Sequence, residues 1–273
     1  VMIIVTGATG SIGRALIEEL GGAARAVVRR AEQGEELGCD YVVGDLERPE
    51  SIPVGPGDRL FLNRGLWPGF VRAHQAVIDR AAAAGVAQVV TVSVRGATPG
   101  GLLGFDMHAR ADAHLKASGV PWSILAPVGY MQNFAGEVDE EGRMFGSYGK
   151  GRVGYIDARD VAAVAAALLT RPVGADATYE LTGPQAPTHD EVAAELTRAL
   201  GRPVRYVDLP VAEAAAHLER RGMPAGTARD LAALMAQIGD GRWADTTTTV
   251  AGILGRPPRS LREFLARTGA VAG

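Results

Sequence analysis

Cysteine occurs once in the 273 residues, as Cys39, which excludes an internal disulfide and any cysteine-built metal site and fits a reducing compartment. Lysine is almost missing: Lys116 and Lys150 stand against an abundance of arginine and alanine. That bias suggests a GC-rich genome and, from it, a place in a biosynthetic pathway. Neither charge sign dominates, with 28 basic and 31 acidic residues and a net charge of -3, so there is no electrostatic reason to expect nucleic acid or an anionic membrane as partner. No stretch approaches the roughly 18 consecutive apolar residues of a membrane span, and the first strand begins at residue 1 without a basic leader. A cytoplasmic protein is the expectation. Five scattered histidines have no metal-ligand spacing.

What is present is a regular alternation of apolar runs. "VMIIV" ends in the glycine-rich "GATGSIG" and passes into "RALIEEL", which reads as buried strand, tight turn and helix. "ARAVVRR", "CDYVVGDL", "DRLFLN", "VAQVVTVS" and "PWSILAP" read as further strands, and "GFVRAHQAVIDRAAAAG" and "DMHARADAHLKASG" as helices between them. "ERPESIPVGPG", with three prolines, predicts only a loop or short helical turn in place of one crossover helix. Strands alternating with helices imply parallel pairing, hence an α/β fold of the Rossmann type: a doubly wound parallel sheet with ligands at the carboxyl ends of its strands. Beyond Pro127 the pattern loosens through "GEVDEEGRMFGSYGKGRVG". It returns as a helix "ARDVAAVAAALLTR", a strand "TYELTG", a helix "HDEVAAELTRALG" capped by Thr188 or Asp190, a strand "VRYVDLP" and three closing helices. The expected division is a dinucleotide-binding domain over residues 1–150 and a mixed region over 151–273 that completes the sheet and forms a smaller C-terminal substrate lobe.

The turn spaces its glycines as G-x-x-G-x-x-G. Glycine opens backbone conformations closed to other residues and lets a ligand approach the main chain, while the following helix N-terminus favours a pyrophosphate. A tight strand-to-helix turn uses the same triplet. Its place after the first strand of an alternating chain favours dinucleotide binding. Which dinucleotide depends on the end of the second strand, where a carboxylate would hold the ribose 2′-hydroxyl and repel a 2′-phosphate. Here Arg29 and Arg30 stand instead and suit a phosphate dianion, so the expected cofactor is NADP(H) rather than NAD(H). Asp45, after the third strand, is placed to accept from the adenine amino group, with Leu46 against the ring.

With "GATGSIG" first, "SGVPWSILAPVGYMQNF" in the middle and "IDARDVAAV" later, the chain resembles the NmrA-like, atypical branch of the short-chain dehydrogenase/reductases. Within that branch it is most similar to NADPH-dependent quinone oxidoreductases and triphenylmethane-dye reductases. The resemblance runs nearly end to end. It implies that Gly7, Thr9, Gly10, Ile12 and Gly13 form the cofactor loop and that Arg29 meets the 2′-phosphate. It also implies that Asn63, Arg64 and Gly65 close the fourth strand beside the cofactor, that Ser93 ends the fifth, and that Pro127 and Tyr130 line the nicotinamide and substrate side. Asn133 and Phe134 then belong to a loop above it. The superfamily's usual Tyr-x-x-x-Lys pair is absent from "FDMHARADAHLK": Ala113 stands where relatives often place a lysine, and Lys116 falls one face further round.

Hydride transfer to a quinone, enone or iminium is driven largely by the cofactor, so a dedicated acid is dispensable. The candidates for one are His108, Tyr130 and His114, of which His108 begins the helix that relatives use beside the nicotinamide; a helix-surface or capping histidine is the alternative. His74 reads as a helix-surface or interface residue. Asp157 and Asp160 read as partners of helix amides at a strand-to-helix junction, and the run 137–141 as a solvated loop. Trp67, Phe70, Tyr130, Phe134, Phe145 and Tyr148 gather in loops expected around the nicotinamide, where they either stack a flat conjugated substrate or pack the lobe interface. The expected function is an NADPH-dependent oxidoreductase of a small flat electrophile, acting as monomer or homodimer on a small-molecule substrate. A non-catalytic NADP(H) sensor and, further off, a cyclase or isomerase are the other readings.

Overall fold

The computed structural model describes residues 1–134 and 136–268. It contains two compact units, each built from separated stretches: residues 1–127 with 158–180, and residues 128–157 with the chain from 181 onward. The sequence suggests one cut after residue 150. The chain instead leaves the first unit at Pro127 and returns to it at Ala158.

The first unit opens β1 (Ile3–Val5), α1 (Ser11–Leu20), β2 (Ala24–Val28), α2 (Ala31–Leu37), β3 (Asp40–Val43) and β4 (Arg59–Leu62). It continues through α3 (Phe70–Ala83), β5 (Gln88–Val92), α4 (Gly104–Ala117) and β6 (Trp122–Pro127). After β7 (Arg143–Gly146) of the second unit, α5 (Ala158–Thr170) and β8 (Ala177–Leu181) complete a seven-stranded sheet of order β3-β2-β1-β4-β5-β6-β8. The pairs from β3 through to β6 are all parallel, as the alternation predicts. Their inner strands are buried because helices cover both faces: every residue of β1 and β5 is buried. The crossover into β4 shrinks to a turn at Pro49–Ser51, as its prolines require. α2 is an element that the sequence pattern hides. Gly34 interrupts its periodicity, yet it lets the helix lie on Tyr41, whose ring would be 2.2 Å from a Cβ at that position.

The second unit contains a turn at Met131–Phe134, β7, α6 (His189–Leu200), β9 (Arg205–Asp208), α7 (Val211–Arg220), α8 (Ala225–Gly239), α9 (Thr249–Leu254) and α10 (Leu261–Thr268). β7 lies inside the glycine-rich stretch that reads as loose. It pairs in parallel with β9, and Gly142 permits the approach, since a Cβ there would lie 2.2 Å from Pro203 O. Met131, Phe134, Met144, Val153 and Tyr155 pack with Val192, Leu196, Phe264 and Leu265 into one core. Thr188 caps α6 reciprocally: its hydroxyl accepts from Glu191 N at 3.2 Å, and its own N–H donates to Glu191 Oε2 at 2.9 Å. No helix among the described residues is long and apolar enough to cross a membrane.

Candidate active site

The carboxyl ends of β1 to β4 border a cavity of about 360 Å3. β1 hands over to α1 at Gly7, whose φ of 63° is left-handed and whose missing Cβ would sit 2.4 Å from Asn63 O. Gly13 lets α1 press on the turn, where a Cβ would meet Gly7 O at 2.1 Å. Thr6 locks this turn to β4: its hydroxyl donates to Asn63 O at 3.1 Å and accepts from Asn63 N at 2.9 Å. α1 begins at Gly10 with no capping side chain and no acid in its first turn. Its leading amides and the positive end of its dipole are therefore left to an anion. The turn fits the pyrophosphate of a dinucleotide.

At the β2 end the cavity is lined by Val28, Arg29 and Gln33. Gln33 Oε1 accepts from the amides of Arg29 and Arg30, both at 3.2 Å, which fixes the chain that carries the two guanidinium groups. Both arginines are exposed; Arg29 borders the cavity and Arg30 lies outside its lining. Across from them Asp45 and Leu46 follow β3, Leu46 being 5% exposed. Asp45 accepts from Arg64 Nη1 at 3.2 Å. The same guanidinium lies 3.9 Å from the Trp67 ring centre, and Trp67 Nε1 donates to Glu47 Oε1 at 2.7 Å. Arg64 thus bridges the loops after β3 and β4, with Asn63 and Gly65 beside it on the cavity wall.

Gly7, Thr9, Gly10, Arg29, Asp45, Leu46, Asn63, Arg64, Gly65 and Trp67 therefore share one cavity. Ile12 and Gly13 are buried in α1 behind the turn. Ser93 and Pro127 lie further along the same sheet edge, after β5 and at the end of β6. Pro127 is buried, and its carbonyl accepts from Arg95 N at 2.8 Å. His108, on α4, rests edge-on against Phe70 at 4.9 Å, and burial lowers its pKa to about 4, so the imidazole is neutral near pH 7. His74 is no surface residue: it is 2% exposed, stacks on Phe70 at 3.8 Å and donates from Nδ1 to Phe70 O at 3.0 Å. His114 pairs with Asp79 at 2.6 Å.

One residue of this neighbourhood is absent from the sequence reading. Asp112 accepts a 2.5 Å hydrogen bond from Ser93 Oγ, and burial raises its carboxyl to about 6 against the opposing pull of Ser93 and Lys116. The signal was available in its spacing, because His108, Asp112 and Lys116 recur every four residues and so share one helix face.

The second unit encloses a cavity of about 630 Å3 bordered by Asn133, Phe134, Phe145, Tyr148, Met223 and Met235, among others. Tyr155 and His189 meet there through a 3.0 Å contact between hydroxyl and Nε2. His189 is 3% exposed and stacks on Tyr148 at 3.6 Å, and its Nδ1 has no hydrogen-bond partner among the described residues. Tyr206 donates to Asp208 Oδ1 at 2.7 Å and accepts from Tyr148 N at 2.8 Å. Tyr130 is half-buried outside this lining, bridged to Ile156 through the backbone, and burial pushes its phenol up. Asp157, fully buried, accepts from Gln132 Nε2 at 2.7 Å and Arg267 Nη2 at 2.9 Å. The 137–141 run is ion-paired rather than merely solvated, Glu137 with Arg221 and Asp139 and Glu141 with Arg143.

A family model described as NAD(P)H-binding matches residues 7–172, which begins at the glycine turn and includes every wall of the 360 Å3 cavity. The chain belongs to the NAD(P)H-binding family. Within the family it is similar to the NAD(P)H azoreductase of Xenophilus azovorans, with 36% identity over all of this chain and 99% of that one. Quinone oxidoreductase 2 of Escherichia coli is 29% identical over 96% of each. The solved structure of that enzyme with NADPH superposes with a TM-score of 0.86, covering 97% of this chain and 99% of the other. The triphenylmethane reductase of Citrobacter sp., 24% identical with a TM-score of 0.86, covering 99% of each chain, shares the fold. The resemblance to quinone oxidoreductases and the Rossmann-type fold are borne out, and this member of the NAD(P)H-binding family is an NAD(P)H-dependent oxidoreductase.

Proposed function

We propose that this oxidoreductase uses NADPH in preference to NADH and reduces a small, flat, conjugated electrophile whose reducible group is a quinone, enone or imine. The observation that carries the cofactor preference is Arg29 on the rim of the cavity, with Val28 and Gln33 and no carboxylate at that end. A guanidinium there favours a 2′-phosphate dianion, whereas an acid would favour the free hydroxyl. The relative from Escherichia coli is solved with NADPH, which supports the same choice. Bound NADPH supplies the hydride. The amides of the Gly7–Gly13 turn hold the pyrophosphate, Arg29 and the neighbouring Arg30 face the 2′-phosphate, and Asp45 and Leu46 border the adenine. Asn63, Arg64 and Gly65 continue that wall, with Ser93 and Pro127 toward the nicotinamide.

The acceptor's flat body is recognised by the aromatic side chains of the second unit, with Asn133, Phe134 and Phe145 as the leading contacts. Their support is a cavity of about 630 Å3 lined mainly by apolar and aromatic groups with a few fixed polar ones, the usual make-up of a small-molecule site. The candidate proton donors are His108 in the first unit and Tyr130 in the second, the two side chains that the family resemblance brings to the reaction. The test is steady-state oxidation of NADPH and NADH with a panel of quinones, enones, iminium dyes and azo compounds. The expected result is turnover with a quinone or enone and a kcat/KM at least about tenfold higher for NADPH, the scale of one charge-assisted hydrogen bond. Equal use of NADPH and NADH overturns the cofactor preference.

A further inference from the structure

The groups near the carboxyl edge differ sharply in whether they can hold a spare proton. His108 is neutral down to about pH 4. Asp112 keeps an acidic proton within reach of neutrality, and its carboxyl is hydrogen-bonded to the Ser93 hydroxyl. We propose that Asp112, acting through Ser93 Oγ, stores and delivers the proton that completes the reduction, in place of the absent tyrosine–lysine pair.

The geometry is a 2.5 Å contact between Ser93 Oγ, directly after β5, and Asp112 Oδ2, in the middle of α4. Ser93 is 4% exposed, so the hydroxyl has few competing partners. β5 pairs with β4, whose end forms one wall of the cavity. A dinucleotide anchored at the β1 turn with its adenine half toward β2 and β3 has its other half directed toward β4 and β5.

The surroundings leave this carboxyl the group that titrates there. On α4 the neighbours one turn away are His108 and Lys116, the latter favouring the carboxylate. On α3, which packs against α4, Asp79 is taken by His114, and His74 is neutral near pH 7, its pKa lowered to about 4. β5 (QVVTV) and β6 (WSILAP) carry no titratable side chain. The loop after Ser93 brings Arg95, paired with Glu180.

The inference rests on the reductase reading above. Once the acceptor carries the extra electron pair as a negative charge on oxygen or nitrogen, the Ser93 O–H proton moves to that atom. The Asp112 O–H proton moves to Ser93 Oγ, leaving a carboxylate that regains a proton from water. One proton is consumed per turnover and no electrons move in this step.

Asp112→Asn keeps the size and the acceptor for Ser93 but not the proton. With NADPH and menadione, the wild type should show kcat falling as pH rises through about 6, with a solvent deuterium effect. Asp112→Asn and Ser93→Ala should lower kcat by about 100-fold and remove both features, and Asp112→Asn should leave KM for NADPH within about twofold. Independently of turnover, an infrared titration of the protein should show a carboxyl band that titrates near pH 6 and is lost in Asp112→Asn. The thermal stability of that variant relative to wild type should rise between about pH 4 and 6, because it no longer ionises a half-buried acid whose folded-state pKa is raised. An unchanged pH profile in Asp112→Asn, or a band that titrates in the ordinary carboxylate range, overturns the assignment. A wild type that oxidises no NADPH with any acceptor overturns the reductase reading and this proposal together.

Discussion

Replacing Gly13 with alanine puts a methyl carbon 2.1 Å from Gly7 O, 2.6 Å from Ala8 Cα and 2.8 Å from Gly7 C. All three are backbone atoms of the turn, so no side chain can swing away. Ordinary contact begins near 3.4 Å, and α1 must therefore retreat from the turn by about 1.3 Å. Overpacking of this kind costs about 1–3 kcal/mol, against up to about 1 kcal/mol regained from alanine's helix propensity. Melting should fall by several °C, at about 2–4 °C per kcal/mol for a protein of this size. The retreat also carries the leading amides away from the phosphate site, and losing even one charge-assisted hydrogen bond, about 1.5–3 kcal/mol, weakens NADPH binding at least tenfold. Gly10 supplies the contrast. Its φ of -80° and ψ of 171° suit any residue, and its Cβ would lie 3.4 Å from Gly7 O. Gly10→Ala should melt with the wild type yet bind NADPH at least about tenfold more weakly, since the methyl occupies the cavity rim where the ligand meets the main chain. Differential scanning calorimetry and isothermal titration with NADPH read both effects. A Gly13→Ala protein that melts with the wild type and binds NADPH equally well refutes the reasoning.

Arg29→Ala should weaken NADPH binding by about 10- to 100-fold and NADH binding by less than about twofold, read by fluorescence titration at low salt; equal weakening contradicts the 2′-phosphate assignment. His74, His108 and His189 each titrate near 4 in the fold, below their ordinary value of 6.5, because each is withdrawn from water. The unfolded chain therefore binds more protons between those values, and stability is lost as pH falls from about 6.5 to about 4, by up to roughly 3 kcal/mol per fully titrated histidine. His74→Phe should flatten that acid-side decline in thermal melts, and a decline identical to wild type argues against it. Thr188→Ala removes the reciprocal cap of α6 and should cost about 1 kcal/mol in a urea melt, whereas an unchanged midpoint would mean the cap contributes nothing.

The sheet and its glycine turn were legible because both depend on local pattern: apolar runs of strand length, glycines at a strand end, amphipathic stretches between them. Elements without a local signature were not. α2 is interrupted by Gly34 and held by Tyr41, and β7 depends on pairing with β9, 62 residues away in register at Arg143 and Arg205. The walls of the cavity could be named from the ends of successive strands, since parallel order brings those ends together. What could not be foreseen was how their side chains engage one another. Asp45 is held by Arg64, Trp67 by Glu47, and Ser93 by Asp112. The Tyr155–His189 contact in the second unit joins residues 34 positions apart, with nothing in the intervening sequence to mark it.

The most direct test of the whole account is a stopped-flow experiment in which the protein, preloaded with NADPH, is mixed with menadione and the loss of NADPH absorbance is followed. Consumption of one equivalent in a first turnover, followed by steady oxidation, is the predicted result. Tight NADPH binding with no consumption by menadione or any other flat acceptor would contradict it.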